Sequence, residues 1–576
     1  MSEWKVGQIK VKVGGFTPAP STAKPPAATP AAPGARDPAA DRATLQAINA
    51  AAQSRDFARA ATMADEALKG GLEHPMVLNL AAMKAEQEGR FDDALVVLQR
   101  AVQIAPQDIG ARNALGLVLT RIERYREALE VFDSVVAMQP DFAGAHVARG
   151  ATLESLGRLK EAEAAYRRGE ELQPENLGAV QGLANLLSRR GAHAEARPLA
   201  EDVLEAQPNF PDAVMVLAAA DAAEGHGERA RQRLDLLIAD ERLTVQQRAL
   251  AHGQLGDIYD SQGLIPEAFQ AYTACNMALW RAYEPAYGQG PGALEFARGM
   301  TEVLATIPAA AWTSAPPAAA GSAPRLHVFL MGFPRSGTTL LEQVLASHPD
   351  VEALEERETL IDAQRAFQMR PSDLERLAGA GEAELAPLRA AYWDRVRAEG
   401  GQPAGKVFVD KHPLRTFHLP LVLKLFPDAK ILFARRDPRD VVLSCYRRRF
   451  TMSGSAYQLL TLPGASGYYD AAMKIADQLE PAMGPRTLVV RHESLVEDFD
   501  RVAGEVCDFL GLTFSDAMRD FAGKGRDRAV ATPSGAQLAR GLSAEGVGAW
   551  CRYRDQLAPA LPALQPWVAR FGYDAE

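Results

Sequence analysis

The sequence has few cysteines and no long apolar run. Its 576 residues include four cysteines, Cys275, Cys445, Cys507 and Cys551, which lie far apart and form no C-x-x-C pair. A disulfide framework and a thiolate zinc site are therefore not expected. No stretch reaches the roughly 18 apolar residues of a membrane span, and the N-terminal residues MSEWKVGQIKVKVGG lack the apolar core of a secretory signal. These absences predict a cytoplasmic protein.

The chain also lacks an excess of positive charge. It has 63 Lys and Arg against 73 Asp and Glu, which gives a net charge of −10. Non-specific binding to nucleic acid needs a surplus of cations to neutralise phosphates. Nucleic acid is therefore not expected as a partner, although a local basic pocket remains compatible with this balance.

Two segments rich in alanine and proline divide the chain. The first lies near the N-terminus and cannot bury enough apolar surface to offset the entropy of ordering. The second joins two regions of different pattern. We therefore predict a flexible tail at 1–44, a helical domain at 45–306, a linker at 307–325 and a second domain at 326–576.

A motif recurs every 34 residues between these two segments. Its markers are Phe57, Phe91, Tyr125, Leu159 and His193, and a second set of markers with the same spacing is Pro106, Pro140, Pro174 and Pro208. Two independent markers with one period favour a regular array over an irregular helical domain. The period resembles the tetratricopeptide repeat, in which each unit is a helical hairpin. A stack of such hairpins has a concave surface, which predicts a peptide or protein partner.

After residue 326 the pattern changes to short apolar runs that alternate with helical stretches. These runs occupy 326–333, 406–410, 429–436 and 486–495. Buried runs separated by helices are typical of a parallel sheet with helices on both faces. The predicted fold class is therefore an α-helical repeat solenoid followed by an α/β domain of the P-loop type.

The stretch GFPRSGTT at 332–339 joins the first of these runs to an amphipathic helix. Its two glycines have the spacing of the phosphate loop G-x-x-x-x-G-K-[ST], but Thr338 stands in place of the lysine. Backbone N–H groups at a helix N-terminus bind anions, so the stretch predicts a phosphate or sulfate site. The expected ligand contacts come from Arg335, Ser336, Gly337, Thr338 and Thr339.

A second basic cluster, RRDPRDVVLSCYRRR, follows the third apolar run. It contributes Arg436, Arg439, Ser444 and Arg448. The carboxyl ends of parallel strands open onto one crevice, so this cluster and the first loop are expected to face the same ligand. Two such anion sites predict a ligand with phosphates at both ends. Arg447 and Arg449 are interpreted as a solvated helix face.

Together, FLMGFPRSGTTLLEQVLASHPDVEALEE and RRDPRDVVLSCYRR resemble the sulfotransferases, in the branch that includes the tyrosylprotein sulfotransferases. The resemblance covers approximately residues 326–556, and the repeats in front resemble the tetratricopeptide–sulfotransferase fusions of bacteria. It implies that 3′-phosphoadenosine 5′-phosphosulfate (PAPS) is the donor and that 3′-phosphoadenosine 5′-phosphate (PAP) is the product. It also implies that no metal is obligatory. In that family the first motif holds the 5′-phosphosulfate and the second holds the 3′-phosphate.

The resemblance also implies roles for single residues. Glu356 matches the catalytic carboxylate of the family, and Glu355 remains an open alternative for it. Lys411 matches the lysine that stabilises the transition state, with Arg335 in support.

A late stretch, ATPSGAQLARGLSAEGVGAW, resembles the loop that covers the nucleotide in this family. Ser534 matches its serine beside the sulfate and the 5′-phosphate, and Arg540 occupies a usual basic position. The sequence departs from the family at Ala549, where a basic residue is frequent, and at His492, where a tyrosine is usual.

The expected function is transfer of a sulfuryl group from PAPS to an acceptor hydroxyl, with protein tyrosine favoured and the repeats binding or positioning the acceptor. A glycan, lipid or small-molecule hydroxyl would need the same residues. A P-loop kinase or NTPase is one alternative, in which Asp410 of VFVD would bind magnesium. A repeat scaffold with an inactive transferase domain is the other. The absent lysine counts against the kinase, and the intact Arg335, Glu356 and Lys411 count against the scaffold.

Overall fold

The structure is a computed structural model that describes residues 4–6, 9–11, 37–290, 292–313, 324–521 and 541–574. The chain divides into two compact units, Met1–Arg233 and Leu234–Glu576. The predicted flexible tail and linker lie largely outside the described residues. Where they are described they differ from the prediction, because a helix begins at Pro38 and Trp312 is buried in an apolar core.

The first unit consists of helices that pack in consecutive pairs, after a short antiparallel ribbon of β1 (Trp4–Val6) and β2 (Ile9–Val11). In five of the six pairs the second helix begins at one of the five marker residues, and four of these helices end two residues before a marker proline. The repeat prediction is therefore confirmed. The helices are α1 (Pro38–Gln53), α2 (Phe57–Lys69), α3 (Pro75–Gln87), α4 (Phe91–Ile104), α5 (Ile109–Arg121), α6 (Tyr125–Met138), α7 (Ala143–Ser155), α8 (Leu159–Leu172), α9 (Leu177–Arg189), α10 (His193–Ala206), α11 (Pro211–Ala223) and α12 (Gly227–Ile238), the last of which contains the division between the units.

The turn inside each hairpin has a left-handed backbone conformation that also recurs every 34 residues. The residue at this position has φ between 59° and 82° in six successive turns. Glycine adopts such angles without the steric cost of a Cβ atom, and four of the six positions hold glycine, so the period is set by the backbone as well as by the core. The six residues are Arg55, Gly89, Glu123, Gly157, Gly191 and Gly225.

Aromatic side chains fill the spaces within and between the hairpins. Phe132 is fully buried, and a Cβ atom at Gly116 would lie 2.7 Å from its ring. Tyr166 lies against Gly150 and Gly182 in the same way, with closest approaches of 2.9 and 2.5 Å to the built Cβ atoms. The small residues of the sequence pattern therefore stand where a ring lies against the helix backbone.

The second unit begins with helices that carry the repeat pattern and continues with the α/β domain. The helices α13 (Val245–Ser261), α14 (Ile265–Tyr287) and α15 (Ala293–Leu304) belong to this unit. Ala268 and Tyr272 of α14 pack in the same apolar core as Phe329 of the sheet. The boundary predicted at residue 306 therefore falls inside the second unit.

The sheet of the second unit has five parallel strands in the order β4-β5-β3-β6-β7. Four strands coincide with the predicted runs. Strand β4 is missing from the prediction, because its two glutamates make it more polar than the other strands, as suits its place at the edge of the sheet. The strands are β3 (Leu326–Met331), β4 (Val351–Glu355), β5 (Val407–Lys411), β6 (Lys430–Arg435) and β7 (Thr487–Arg491).

Apolar residues on both faces of the sheet are covered, as the predicted fold class requires. Alternate residues of β3 enter two separate cores: Phe329 lies in one, whereas Val328 and Leu330 lie in the other. The covering helices are α16 (Thr338–Ala346), α17 (Ile361–Phe367), α18 (Asp373–Gly379), α19 (Glu382–Ala398), α20 (Leu419–Leu425), α21 (Pro438–Arg447), α22 (Gly454–Gln458), α23 (Leu462–Met483), α24 (His492–Glu497), α25 (Phe499–Leu510), α26 (Arg554–Leu557) and α27 (Leu561–Arg570). Among the helices described, none has the length and apolar character needed to span a bilayer.

Replacing Phe132 with alanine should destabilise the first unit. Loss of a fully buried ring leaves a cavity between hairpins and should lower the free energy of unfolding by about 3–5 kcal/mol. Chemical denaturation followed by circular dichroism measures the change. Val96→Ala is the matched control in the same unit, because Val96 is 64% exposed and the change should stay within about 0.5 kcal/mol. Equal effects of the two substitutions would contradict the packing described.

Candidate active site

The order of the strands creates a crevice at the carboxyl ends of β3 and β6. From β3 the chain passes to β4 on one side of the sheet, and from β6 it passes to β7 on the other. Ligands of open parallel sheets bind where the connections diverge in this way. A cleft of about 710 Å³ lies there, within the size range of small-molecule sites.

The cleft brings together most of the predicted donor-binding residues. Its wall is formed by the turn after β3, the first residues of α16, the helix after β6, α13 and the stretch from Gly541 onward. Ser336 is buried behind the wall rather than on it. The predicted residues that line the cleft are Arg335, Gly337, Thr338, Thr339, Arg436, Ser444 and Arg448.

The turn after β3 is held in a compressed conformation. Ser336 Oγ accepts a hydrogen bond from the Phe333 N–H at 3.2 Å, and the Ser336 N–H donates to the Phe333 carbonyl at 3.1 Å. Arg335 has φ 70° and Gly337 has φ 99°. A left-handed conformation at a residue with a side chain costs about 1–3 kcal/mol and concentrates at functional sites. The turn leads directly into α16, and the first N–H groups of this helix have no partner within the helix.

Three arginines concentrate positive charge in the cleft. Arg335 Nε donates to Ser444 Oγ at 2.9 Å, and Arg436 Nη1 donates to the Arg335 carbonyl at 3.3 Å. Among the described residues, the Arg448 guanidinium has no hydrogen-bond or ion-pair partner. Burial, together with the nearby cations of Arg448 and Arg436, lowers the pKa of Arg335 to about 9. Among the described residues, five arginines and four carboxylates line the cleft, and an anion bound beside Arg335, Arg436 and Arg448 would offset the repulsion between these three cations.

His492 lies in the wall of the cleft next to the turn. A Cβ atom at Gly337 would lie 2.8 Å from His492 Nδ1, which is buried without a hydrogen-bond partner among the described residues. Burial, followed by the cations of Arg436 and Arg335, lowers the pKa of His492 to about 3. The ring is therefore neutral at physiological pH and adds a polar atom, but no charge, to the cleft. Ala549, the other departure from the family, also lines the cleft.

Lys411 and two glutamates form a second group at the same edge of the sheet. Lys411 Nζ lies 2.7 Å from Glu356 Oε1 and 2.9 Å from Glu355 Oε1. The Lys411 side chain is fully buried, whereas those of Glu356 and Glu355 are 35% and 21% exposed. Burial disfavours the lysine charge, but Glu355, Glu356 and the more distant Glu342 outweigh it and hold the pKa of Lys411 above its usual value. None of these side chains lines the cleft itself.

Glu356 differs from Glu355 in its backbone. It follows the end of β4 with φ 47°, and its N–H donates to the Lys411 carbonyl at 2.7 Å. Glu355 is the last residue of the strand and pairs in register with Lys411. The bend at Glu356 thus places the more exposed of the two carboxylates against the lysine.

Asp410 points to the opposite face of the sheet from Lys411, because successive strand residues alternate. Asp410 Oδ2 accepts hydrogen bonds from Thr359 Oγ1 at 2.7 Å and Tyr392 OH at 2.9 Å, and Arg415 Nη2 lies 3.3 Å away. His327 Nε2 lies 2.8 Å from the same tyrosine hydroxyl. This carboxylate is buried and fully paired, which argues against a magnesium-binding role.

The interpretation of Arg447 and Arg449 as a solvated face is wrong. Arg447 forms an ion pair with Asp260, and Arg449 Nη2 lies 2.9 Å from Asp257 Oδ2. Both aspartates lie on α13 and line the cleft. Sequence reasoning missed them because their stretch, LGDIYDSQGLIPEAF, resembles a further repeat unit whose marker segment GLIPEAF is offset by a few residues from the 34-residue period. The only signal available was the i, i+3 spacing of the two aspartates.

Arg439, another member of the basic cluster, is buried outside the cleft wall. Its guanidinium pairs with Asp437 at 2.7 Å and stacks over the Trp550 ring at 3.7 Å. It therefore fixes the 3₁₀ helix Ala549–Tyr553 rather than facing the cleft. Ser534 and Arg540 lie outside the described residues, so their predicted roles stay predictions.

Comparison with known proteins agrees with this architecture. Residues 327–516 match the model of the sulfotransferase family, and residues 45–109, 113–176 and 187–255 match models of the tetratricopeptide repeat. The chain carries tetratricopeptide repeats and a sulfotransferase-family domain.

Among relatives of this chain, a protein of Aquifex aeolicus (strain VF5) is 28% identical over 254 residues, 41% of this chain and 32% of that protein. The protein-tyrosine sulfotransferase of Drosophila melanogaster is 27% identical over 262 residues, 43% of this chain and 51% of that protein. The chain thus spans between a third and a half of these relatives. The solved sulfotransferase domain of the Synechococcus PCC 7002 olefin synthase is 21% identical, with a TM-score of 0.26, covering 42% of this chain and 98% of that one.

His327 should make the stability of the second unit sensitive to acid. Burial lowers its pKa to about 3, so the folded ring stays neutral while the unfolded chain binds a proton below roughly pH 6.5. The unfolded state therefore holds more protons between these limits, and the free energy of unfolding should fall by up to about 1.4 kcal/mol per pH unit as the pH decreases. Urea denaturation between pH 6.5 and pH 4.5 should show that the free energy of unfolding falls less steeply with decreasing pH in His327→Gln than in the wild-type protein. The same slope in both proteins would contradict this, and His226→Gln on the exposed surface serves as the control.

Proposed function

We propose that this chain is a PAPS-dependent sulfotransferase that transfers a sulfuryl group to an acceptor hydroxyl, with protein tyrosine favoured, and that the repeats bind or position a peptide or protein acceptor. The observation that carries the proposal is the surplus of buried cations around the compressed turn after β3. The named activity of the Drosophila relative supports the same reaction and the tyrosine acceptor. The cytoplasmic location expected from the sequence stays a prediction.

The residues of the cleft fit the proposed donor. The turn at 332–339 and the N-terminus of α16 would hold the 5′-phosphosulfate, since both offer N–H groups to an anion. Arg436, Ser444 and Arg448 would hold the 3′-phosphate. The hydrogen bond from Arg335 to Ser444 joins the two groups into one continuous wall, which suits a ligand with an anion at each end.

PAPS supplies a sulfuryl group bonded to a phosphate leaving group. Transfer forms a bond from the acceptor oxygen to sulfur, breaks the bond from sulfur to the 5′-phosphate and releases the hydroxyl proton. Glu356 is the proposed base for that proton, because it is the more exposed carboxylate and a strained backbone holds it in place. Lys411 and Arg335 would stabilise the negative charge that develops during transfer.

The kinase alternative has less support. The phosphate loop lacks its lysine, and Asp410 is occupied by Thr359, Tyr392 and Arg415 on the far face of the sheet. The proposed reaction has no obligatory metal, as the family resemblance implies. The scaffold alternative does not explain why a buried lysine, Lys411, pairs with Glu355 and with Glu356, whose backbone is strained.

Donor binding should depend on Arg448. Isothermal titration calorimetry should show that the protein binds PAP more tightly than ATP with magnesium, and Arg448→Ala should weaken PAP binding by about 10- to 100-fold, the scale of one charged hydrogen-bond partner. Arg395→Ala is the control, since Arg395 pairs with Asp362 outside the cleft. Tighter binding of ATP with magnesium than of PAP would favour the kinase instead.

The two glutamates beside Lys411 should differ in their effect on turnover. Loss of the general base should lower the rate of ³⁵S transfer from labelled PAPS by about 10²- to 10⁴-fold in Glu356→Gln. The matched variant Glu355→Gln keeps the base and should retain most of the activity. The assay uses lysate of the source organism as the acceptor mixture, followed by identification of the labelled species. A greater loss in Glu355→Gln than in Glu356→Gln would assign the base to Glu355.

A further inference from the structure

The helical hairpin α13–α14 carries the repeat pattern but is built into the α/β domain. Phe269 stacks on Tyr446 of α21 with the ring centroids 5.4 Å apart, and Asn276 Nδ2 donates to the Tyr446 carbonyl at 2.9 Å. Tyr272 is 1% exposed. Helix α14 of the hairpin therefore shares a polar and apolar interface with the helix that follows β6.

Two aspartates of α13 pair with arginines at the C-terminal end of α21 and just beyond it. Asp260 accepts a hydrogen bond from Tyr553 OH at 2.7 Å, forms an ion pair with Arg447, and has Arg552 Nη1 at 3.2 Å. Asp257 Oδ2 pairs with Arg449 at 2.9 Å.

A tyrosine completes the site of Asp257. Tyr272 OH donates to Asp257 Oδ1 at 2.9 Å. Burial opposes the charge of this aspartate, but Arg449 and Arg448 outweigh it and lower its pKa. Asp257 is thus an ionised anchor for Arg449 rather than an acceptor left open to a ligand.

Arg448 stands between the two anchored arginines in the chain. It lines the cleft and, within the described part of the chain, has neither an ion-pair nor a hydrogen-bond partner for its guanidinium. Arg447 also lines the cleft. Three consecutive arginines repel one another, and without the aspartates the side chains of Arg447 and Arg449 would be free to move from their places beside Arg448. Anchoring the outer two leaves the middle one for the ligand.

We propose, on the basis of the proposed function, that Asp257 and Asp260 are positioning residues of the donor site, which fix Arg447 and Arg449 so that Arg448 meets the 3′-phosphate. The last hairpin with the repeat pattern is then a wall of the donor site and not part of the acceptor-binding surface. The donor-binding unit accordingly includes α13, which begins about 80 residues before residue 326, where the sequence predicts that the second domain starts.

The test compares PAP binding by calorimetry in four full-length proteins: wild type, Asp260→Asn, Asp260→Glu and Asp362→Asn. Asp362 forms an ion pair with Arg395 outside the cleft, so Asp362→Asn controls for loss of an aspartate–arginine ion pair elsewhere in the second unit. Misplacement of the arginines should raise the Kd for PAP by about 10- to 100-fold in Asp260→Asn, whereas Asp362→Asn should bind as wild type does. Asp260→Glu keeps the charge and should restore most of the affinity, which a merely structural role would not require.

Each outcome has one meaning. Wild-type affinity in Asp260→Asn would overturn the positioning role and leave the proposed function standing. Equal loss in Asp260→Asn and Asp260→Glu, with an unchanged melting temperature, would also overturn it. No binding of PAP by the wild-type protein would overturn the proposed function and this inference with it. Should Asp260→Asn fail to fold, Asp257→Asn is judged by the same criteria.

Discussion

The divergence of the chain at the carboxyl ends of β3 and β6 is the constraint on which the rest of the site depends. Parallel strands need crossover connections, and the order β4-β5-β3-β6-β7 sends those connections to opposite sides. Neither connection covers the space between the carboxyl ends of β3 and β6. The turn with Arg335, the helix with Ser444 and Arg448, and α13 from a third direction all border this space. A second group, at the ends of β4 and β5, lies along the same edge of the sheet.

Buried positive charge is paired with carboxylates around Lys411 but is in excess in the cleft. Lys411 is fully buried, but two carboxylates within 3 Å balance it, so the pair is stable without a ligand. In the cleft the arginines outnumber the carboxylates that face them, and burial lowers the pKa of both Arg335 and Arg448. A bound anion would relieve that imbalance and stabilise the folded chain at the same time. The proposed catalytic lysine is thus paired before a ligand binds, whereas the arginines of the proposed donor site gain their counter-charge from the ligand.

The repeat and the α/β class follow directly from the sequence, because both depend on local patterns. The markers at Phe91 and Tyr125 begin helices, and four of the five strands are apolar runs. Strand β4 has no such run, and its pairing with β5 depends on a partner more than 50 residues away. The motifs name Arg335 and Arg448 as donor residues because each stands in a recognisable stretch. The roles of Asp257 and Asp260 could not be predicted, since their partners are distant and their own stretch resembles an ordinary repeat.

The link between Asp260 and Tyr553 has a consequence for synthesis of the chain. The two residues are 293 positions apart, which at 5–20 residues per second corresponds to roughly 15–60 s of translation. The first unit has mostly local contacts and can fold as it leaves the ribosome. The α13–α14 hairpin emerges soon afterwards, but the surface that it presents to α21 and Tyr553 stays uncovered until nearly the whole chain is made. During that interval Asp260 waits for Arg447 and Tyr553, and Asp257 waits for Arg449. A chaperone that covers this face would have its longest opportunity then.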